Sequence, residues 1–278
     1  MKRLLSIELQ KIWMNKASRI LTLIYFILLS FIALIAAIKF DIGPFKFHLA
    51  EMGIFNFPFI WHFNTFVAAW LKFFLAIVIV SMMANEYSYG TLKQNLIDGL
   101  SKKEFILSKF LTVVLFSLCS TVFVFIMSLI LGLTFSSYTE IDVIFMDLDY
   151  LLAFFIKLVG FFSFCLFLGI FVKRSAFALG FLLVWSIFEG MMRAFLAFKV
   201  FPNSNTDLYV AQFFPLEAMS NLIVNPAPRL SVVKNIGKQI GIETDSAYSV
   251  DYLACFIVLI WTFLFIYFSY KLLKNRDL

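Results

Sequence analysis

Charge is what this chain has least of. Only 14% of its 278 residues are charged while 62% are hydrophobic, whereas a water-soluble domain carries roughly a quarter charged residues. A mean hydropathy of +0.94 excludes an ordinary soluble globule. Histidine is reduced to His48 and His62, too few and too isolated for a metal site, which leaves them as polar residues at headgroup level. The cysteines are Cys119, Cys165 and Cys255, each inside an apolar run and with no CxxC pair, so they are expected to be packing residues. There is no GxxxxGK[ST], HExxH or GxSxG, and no nucleophile paired with a base. The chain therefore cannot hydrolyse ATP by itself, and an enzyme is not expected. The first long apolar run lacks a small-residue cleavage site and should remain as a span.

Long apolar runs are what is present. In hydrocarbon an unpaired backbone N–H or C=O costs several kcal/mol, which an uninterrupted helix avoids, and the runs lack the two-residue alternation of a membrane barrel. The expected fold is all-α: a polytopic membrane protein with six transmembrane helices over about 20–38, 63–84, 105–133, 151–172, 176–198 and 252–270, forming a single transmembrane domain. Ahead of them, 1–19 carries five basic residues with Leu5, Leu9, Ile12 and Trp13 on one helical face, the pattern of an interfacial amphipathic helix. The turn Lys173–Arg174–Ser175 is so short that the fourth and fifth spans must form an antiparallel hairpin. Between the fifth and sixth spans lies the long polar segment 201–250, where Pro215 can open a short helix with Leu216, Met219 and Ile223 on one face.

The connector 85–109 separates the second and third spans. Thr91 with Gln94 reads as a capping box, Leu92, Leu96 and Leu100 recur every fourth residue, and Gly99 offers a stop. Ser101 with Glu104 repeats the box and starts the next helix. The expectation is a short helix across the mouth of two spans, apolar towards the bundle and presenting Lys93, Asp98, Lys102 and Lys103, a surface suited to a protein partner. The competing reading is a solvated connector of the kind any polytopic protein needs.

Basic residues set the orientation. Fourteen Lys and Arg fall in the N-terminal segment, the 85–109 connector, the 173–174 turn and the tail, against six in the connectors that alternate with them. The richer side is expected to be cytoplasmic, with both termini inside and 201–250 outside. Within the spans, Lys72, Lys157, Glu189 and Arg193 are expected in the outer half of the bilayer, with Glu189 and Arg193 spaced to neutralise each other at i, i+4. They are candidate pathway charges, and the alternative is snorkelling towards the headgroups.

Taken together, the N-terminal interfacial helix, six spans with both ends inside, a helix between spans two and three and a long external segment before span six resemble the permease subunit of type-2 ATP-binding cassette (ABC) exporters. The resemblance covers essentially the whole chain. Its most specific part is the connector, where family members show a Glu, Gly-Thr, an apolar helix, Ser-Arg and a Lys. This chain has Glu86, Gly90-Thr91, Leu92 to Leu100, Ser101-Lys102 and Lys109, departing from the pattern in Lys102 for Arg and in Asp98-Gly99-Leu100 where a Pro-containing turn is common. The resemblance implies that the connector is a coupling helix docking on a separate ATPase subunit through Glu86, Gly90, Thr91, Lys93, Leu96, Asp98 and Lys102. It further implies no cofactor on this chain, ATP on two copies of the partner subunit, a second permease chain as homo- or heterodimer, a lipid bilayer and no nucleic acid as surroundings, and a multi-pass location in the cell membrane. An energy-independent channel or secondary transporter, and a polytopic membrane enzyme, are the alternatives from other classes.

Overall fold

The computed structural model describes residues 2–37, 40–42, 45–47, 53–138, 140–202, 206–229 and 248–276. In chain order its helices are α1 (Lys2–Met14), α2 (Lys16–Ala37), α3 (Phe59–Ser88), α4 (Thr91–Ile97), α5 (Lys102–Phe135), α6 (Ile141–Ile144), α7 (Asp149–Val172), α8 (Ser175–Phe195), α9 (Thr206–Ala211), α10 (Pro215–Asn221) and α11 (Tyr252–Lys274). Six of them, α2, α3, α5, α7, α8 and α11, are long and apolar enough to cross a membrane, in agreement with the all-α expectation. A two-stranded antiparallel ladder, β1 (Phe40–Ile42) with β2 (Phe45–Phe47), follows α2. His48 lies outside the described residues.

The termini of the long helices follow their sequence signals. Ser101 accepts the Glu104 N–H at the start of α5 while the Glu104 carboxylate takes the Ser101 N–H, the reciprocal capping box. Asp251 caps α11 by accepting the Leu253 N–H. The amphipathic start of the chain is shorter than expected: α1 stops at Met14, and the Asn15 side chain accepts the Ser18 N–H to open α2, so Lys16 and Arg19 belong to the first span rather than to the interfacial helix. Ile12 is buried and Leu9 packs against the core, but Trp13 points away from it.

α7 is the axis of the bundle. It packs against α3, α5, α8 and α11, and Leu158, Phe162, Cys165 and Leu166 along it are fully enclosed. Cys165 and Cys255 are packing residues as expected, whereas Cys119 is exposed on α5. α8 packs on α7 through one narrow stripe, with only Ala178, Leu182 and Glu189 buried. Its Val184, Ile187, Phe188 and Met191 face outwards.

The connectors sort to two ends. At one end Arg276, just past α11, donates to the Ile170 and Phe171 carbonyls near the close of α7 and to the Tyr87 hydroxyl. Lys173 lies over the Tyr87 ring, 5.7 Å from its centre. At the other end Asn56 accepts the Ser137 N–H, Arg229 approaches Asp147 at 3.6 Å, and Tyr252 donates to Asp149. The four basic-rich segments thus share one end and the connectors poor in basic residues share the other, the grouping that the spacing of the spans implies.

Candidate functional site

The α3–α4 junction is fixed by backbone geometry before any ion pair is counted. α3 stops at Ser88, and Gly90, at φ +70°, turns the chain through the left-handed region that a side chain disfavours. Gly99, at φ +95°, ends α4 in the same way, and its N–H returns to the Leu96 carbonyl. Leu92 is buried, and Leu96 and Leu100 pack against the core, so the apolar row faces the bundle as its spacing requires. The expected Thr91–Gln94 capping box does not form. Gly90 occupies the N-cap with no side-chain bond, and the Thr91 hydroxyl is diverted to Glu86. A capping hydroxyl would accept the Gln94 N–H, but with Gly90 at the N-cap Thr91 lies inside the first turn, and its hydroxyl donates to the carboxylate.

Glu86 is the centre of the junction. One carboxylate oxygen accepts Lys109 Nζ at 2.6 Å and Lys11 Nζ at 2.9 Å, and the other accepts the Thr91 hydroxyl at 2.5 Å and Asn95 Nδ2 at 3.5 Å. Lys109 also donates to Glu8 at 2.5 Å, and Lys11 stands 3.7 Å from the same carboxyl group. Two carboxylates and two ammoniums from α1, α3 and α5 form a neutral set, with Lys109 wholly enclosed and Glu8 and Glu86 buried. Charges at such burial persist only when paired and hydrogen-bonded, and stripping one partner from such a set costs about 3–5 kcal/mol. Burial alone would lower the pKa of Lys11, but the Glu86 and Glu8 carboxylates outweigh it and hold that ammonium above the ordinary lysine value. A cavity of about 380 Å³ opens beside the set, bounded by Glu8, Lys11, Asn85, Glu86, Thr91 and Lys109.

Of the residues singled out in this connector, Glu86, Thr91 and Leu96 therefore hold α4 against the bundle, while Gly90, itself exposed, supplies the turn between α3 and α4. Lys102 is also turned inwards: its ammonium donates to the Lys274 and Arg276 carbonyls at 3.2 and 3.0 Å, tying the start of α5 to the end of α11. What α4 and its C-cap leave open is Lys93, Gln94, Ile97 and Asp98, with Ile97 74% exposed. Lys93 and Asp98 make no ion pair among the described residues. Glu8 and Lys11 were not recognisable as partners of this loop, because nothing in local spacing marks contacts that bridge 75 and 101 positions of sequence.

The four charges within the spans do not converge. Glu189 does not pair with Arg193. Its carboxylate accepts the N–H groups of Leu216 and Glu217 at 2.9 and 3.0 Å, at the start of α10, and Trp185 Nε1 at 2.5 Å, while Arg193 bonds Glu217 at 2.5 Å. α10, which Pro215 opens as expected, packs between α7, α8 and α11 and brings free N–H groups closer to Glu189 than the guanidinium one turn away. At the other end of α10, Lys157 Nζ lies 3.3 Å from the Ser220 carbonyl. A negative group thus sits at the positive end of this short helix and a positive group at its negative end. Lys72 and Lys157 line a second cavity of about 220 Å³. His62, near the start of α3, is buried within the protein: it stacks on Tyr150 at 4.2 Å, bonds the Val224 carbonyl at 2.7 Å and takes Arg229 at its other nitrogen.

This architecture defines a helical membrane protein whose basic-rich end carries a short helix clamped by buried ion pairs. The chain belongs to the family described as protein of unknown function DUF2705, whose profile matches residues 26–278. Glu86 and Lys109 fall within that match, and Glu8 and Lys11 precede it. The chain is also similar to the uncharacterized protein YhcI of Bacillus subtilis (strain 168), 40% identical over 62 residues, which is 22% of this chain and 20% of that relative. The likeness therefore spans about a fifth of YhcI's own length.

Proposed function

We propose that this chain is the membrane-spanning permease subunit of a transporter of the type-2 ABC exporter class, coupled to a separate ATPase subunit through α4. The observation that carries the reading is the contrast between the two faces of α4. One face is tied through Glu86, Lys11 and the buried Lys109 to three helices, and the other presents Lys93, Asp98 and Ile97, with no ion pair to either charge among the described residues. A transmission element needs both properties, since a force applied to the open face reaches the spans only if the clamped face does not yield. On this reading the α4 end is cytoplasmic, the α10 end is external, ATP is bound by the partner alone, and a second permease chain completes the pathway in the cell membrane. The open apolar face of α8 supplies surface for that second chain or for lipid.

The test is a pull-down of the ATPase, combined with a transport assay, on Lys93→Glu with Asp98→Lys. Insertion and abundance should stay near the parent's, while recovery of the ATPase falls by about tenfold, as expected when complementary charges at an interface become repulsive. Parent-level recovery and transport in the exchanged variant would remove these residues from the docking face. Failure of any ATPase to accompany the unmutated chain would remove the ABC reading.

A further inference from the structure

The cavity between α3 and α7 is lined by two lysines and by no carboxylate among the described residues. Lys157 is buried and has one hydrogen bond, to the Ser220 carbonyl. Lys72 makes none among the described residues and rests instead on ring faces, 4.4 Å from the centre of Phe161 and 5.8 Å from that of Phe73. Each ammonium carries three N–H donors, so five of the six in the cavity have no acceptor among the described residues. The ion set at Glu86 shows the contrast, because there every lysine is matched by a carboxylate. The volume of about 220 Å³ is an order of magnitude above the roughly 10–15 Å³ that one water requires.

Its surroundings narrow the ligand further. Lys157 stands about 12 Å along α7 from that helix's first residue at a rise of 1.5 Å per residue, and Lys72 lies near the middle of α3, so the cavity is set well inside the span. Trp70 and Phe73, which border the cavity, are 71% and 45% exposed on the outward face of α3. The mouth therefore opens sideways past aromatic rings, where hydrocarbon chains of a bilayer would lie.

We propose that this cavity binds a phosphate-type anionic group, with Lys72 and Lys157 as its donors and the Trp70 and Phe73 rings against any chain attached to it. Two unmatched ammoniums within one low-dielectric cavity repel each other, and an anion between them both neutralises the pair and takes the free donors. The site depends on the bundle and not on the ATPase, so it is tested on the isolated chain, and its failure is separate from failure of the docking reading.

The experiment is native mass spectrometry and thermal unfolding of the purified full-length protein with three probes: short-chain phosphatidylglycerol, inorganic phosphate, and diacylglycerol of the same chain length. Phosphatidylglycerol should bind and raise the unfolding temperature, and diacylglycerol should not. In Lys72→Met with Lys157→Met the phosphatidylglycerol Kd should rise at least about tenfold, the scale of one lost hydrogen bond to a charged group, while Lys72→Arg keeps the affinity. Binding of the phospholipid alone assigns the anion to a lipid headgroup, and lysine-dependent binding of inorganic phosphate as well means that the free anion suffices. Equal binding of phosphatidylglycerol and diacylglycerol to the unmutated protein overturns the proposal. So does undiminished phosphatidylglycerol binding to the folded double variant.

Discussion

The charged residues inside the spans gain their meaning from backbone groups as much as from one another. Glu189 and Arg193 share a helical face four residues apart, yet the carboxylate serves the first N–H groups of α10 and the guanidinium serves Glu217. The two side chains should therefore be energetically independent. Glu189→Gln should destabilise the protein by about 1–3 kcal/mol, the cost of weakening hydrogen bonds to a buried acceptor. Arg193→Gln should cost no more than about 1 kcal/mol, since that guanidinium is 45% exposed and its ion pair is screened. A double-mutant cycle on thermal unfolding should give a coupling below about 0.5 kcal/mol for Glu189 with Arg193, and a larger one for Arg193 with Glu217. A strong Glu189–Arg193 coupling would restore the pairing that spacing alone suggests. That error is instructive: helical spacing identifies which side chains can meet, and a third element arriving from a connector decides which of them do.

At the scale of elements, the signals that proved legible were local ones. The presence of six long apolar helices, the Ser101–Glu104 box, Pro215 at the head of α10 and the inward row on α4 all depend on residues close to each other in sequence. The break at Asn15 was hidden because α1 and α2 are both amphipathic and join without Pro or Gly. Glu8 was hidden for another reason, since a single acidic residue in a basic segment has no periodicity to report its partner 101 positions away. These two sides of α4 make a prediction that separates fold from docking. Leu92 is 2% exposed, so Leu92→Asp places a carboxylate where nothing pairs it, at a cost of several kcal/mol. The variant should lose abundance in the membrane and melt earlier in detergent, whereas Ile97→Asp, on the open face, should leave both unchanged. Equal loss from the two substitutions would mean that α4 has no inward face.

For the whole molecule, the bundle separates its connectors into two groups without reference to a membrane. α1, α4, the Lys173 turn and the residues after α11 meet around Glu86, Tyr87 and Arg276, while the residues after α6, after α10 and before α11 meet around His62, Tyr150 and Arg229. The first group holds most of the basic residues outside the spans, and on the proposed reading the positive-inside rule puts it in the cytoplasm, an expectation open to test. The geometry makes this an all-or-none matter, because placing any one of these segments on the wrong side would break contacts that the others share. Single cysteines introduced into a Cys119→Ser, Cys165→Ala, Cys255→Ala background test it. Ser137 and Asp142 are exposed at the α10 end and should react with an impermeant maleimide in intact cells, while Lys103, exposed at the α4 end, should react only after lysis. Asn203, which the sequence places with the expected external segment, lies outside the described residues, so Asp142 is used as the second site. Labelling of Lys103 in intact cells with Ser137 protected would invert the protein in its membrane, and α4 would then face a compartment without ATP, where an ATPase subunit could not drive it.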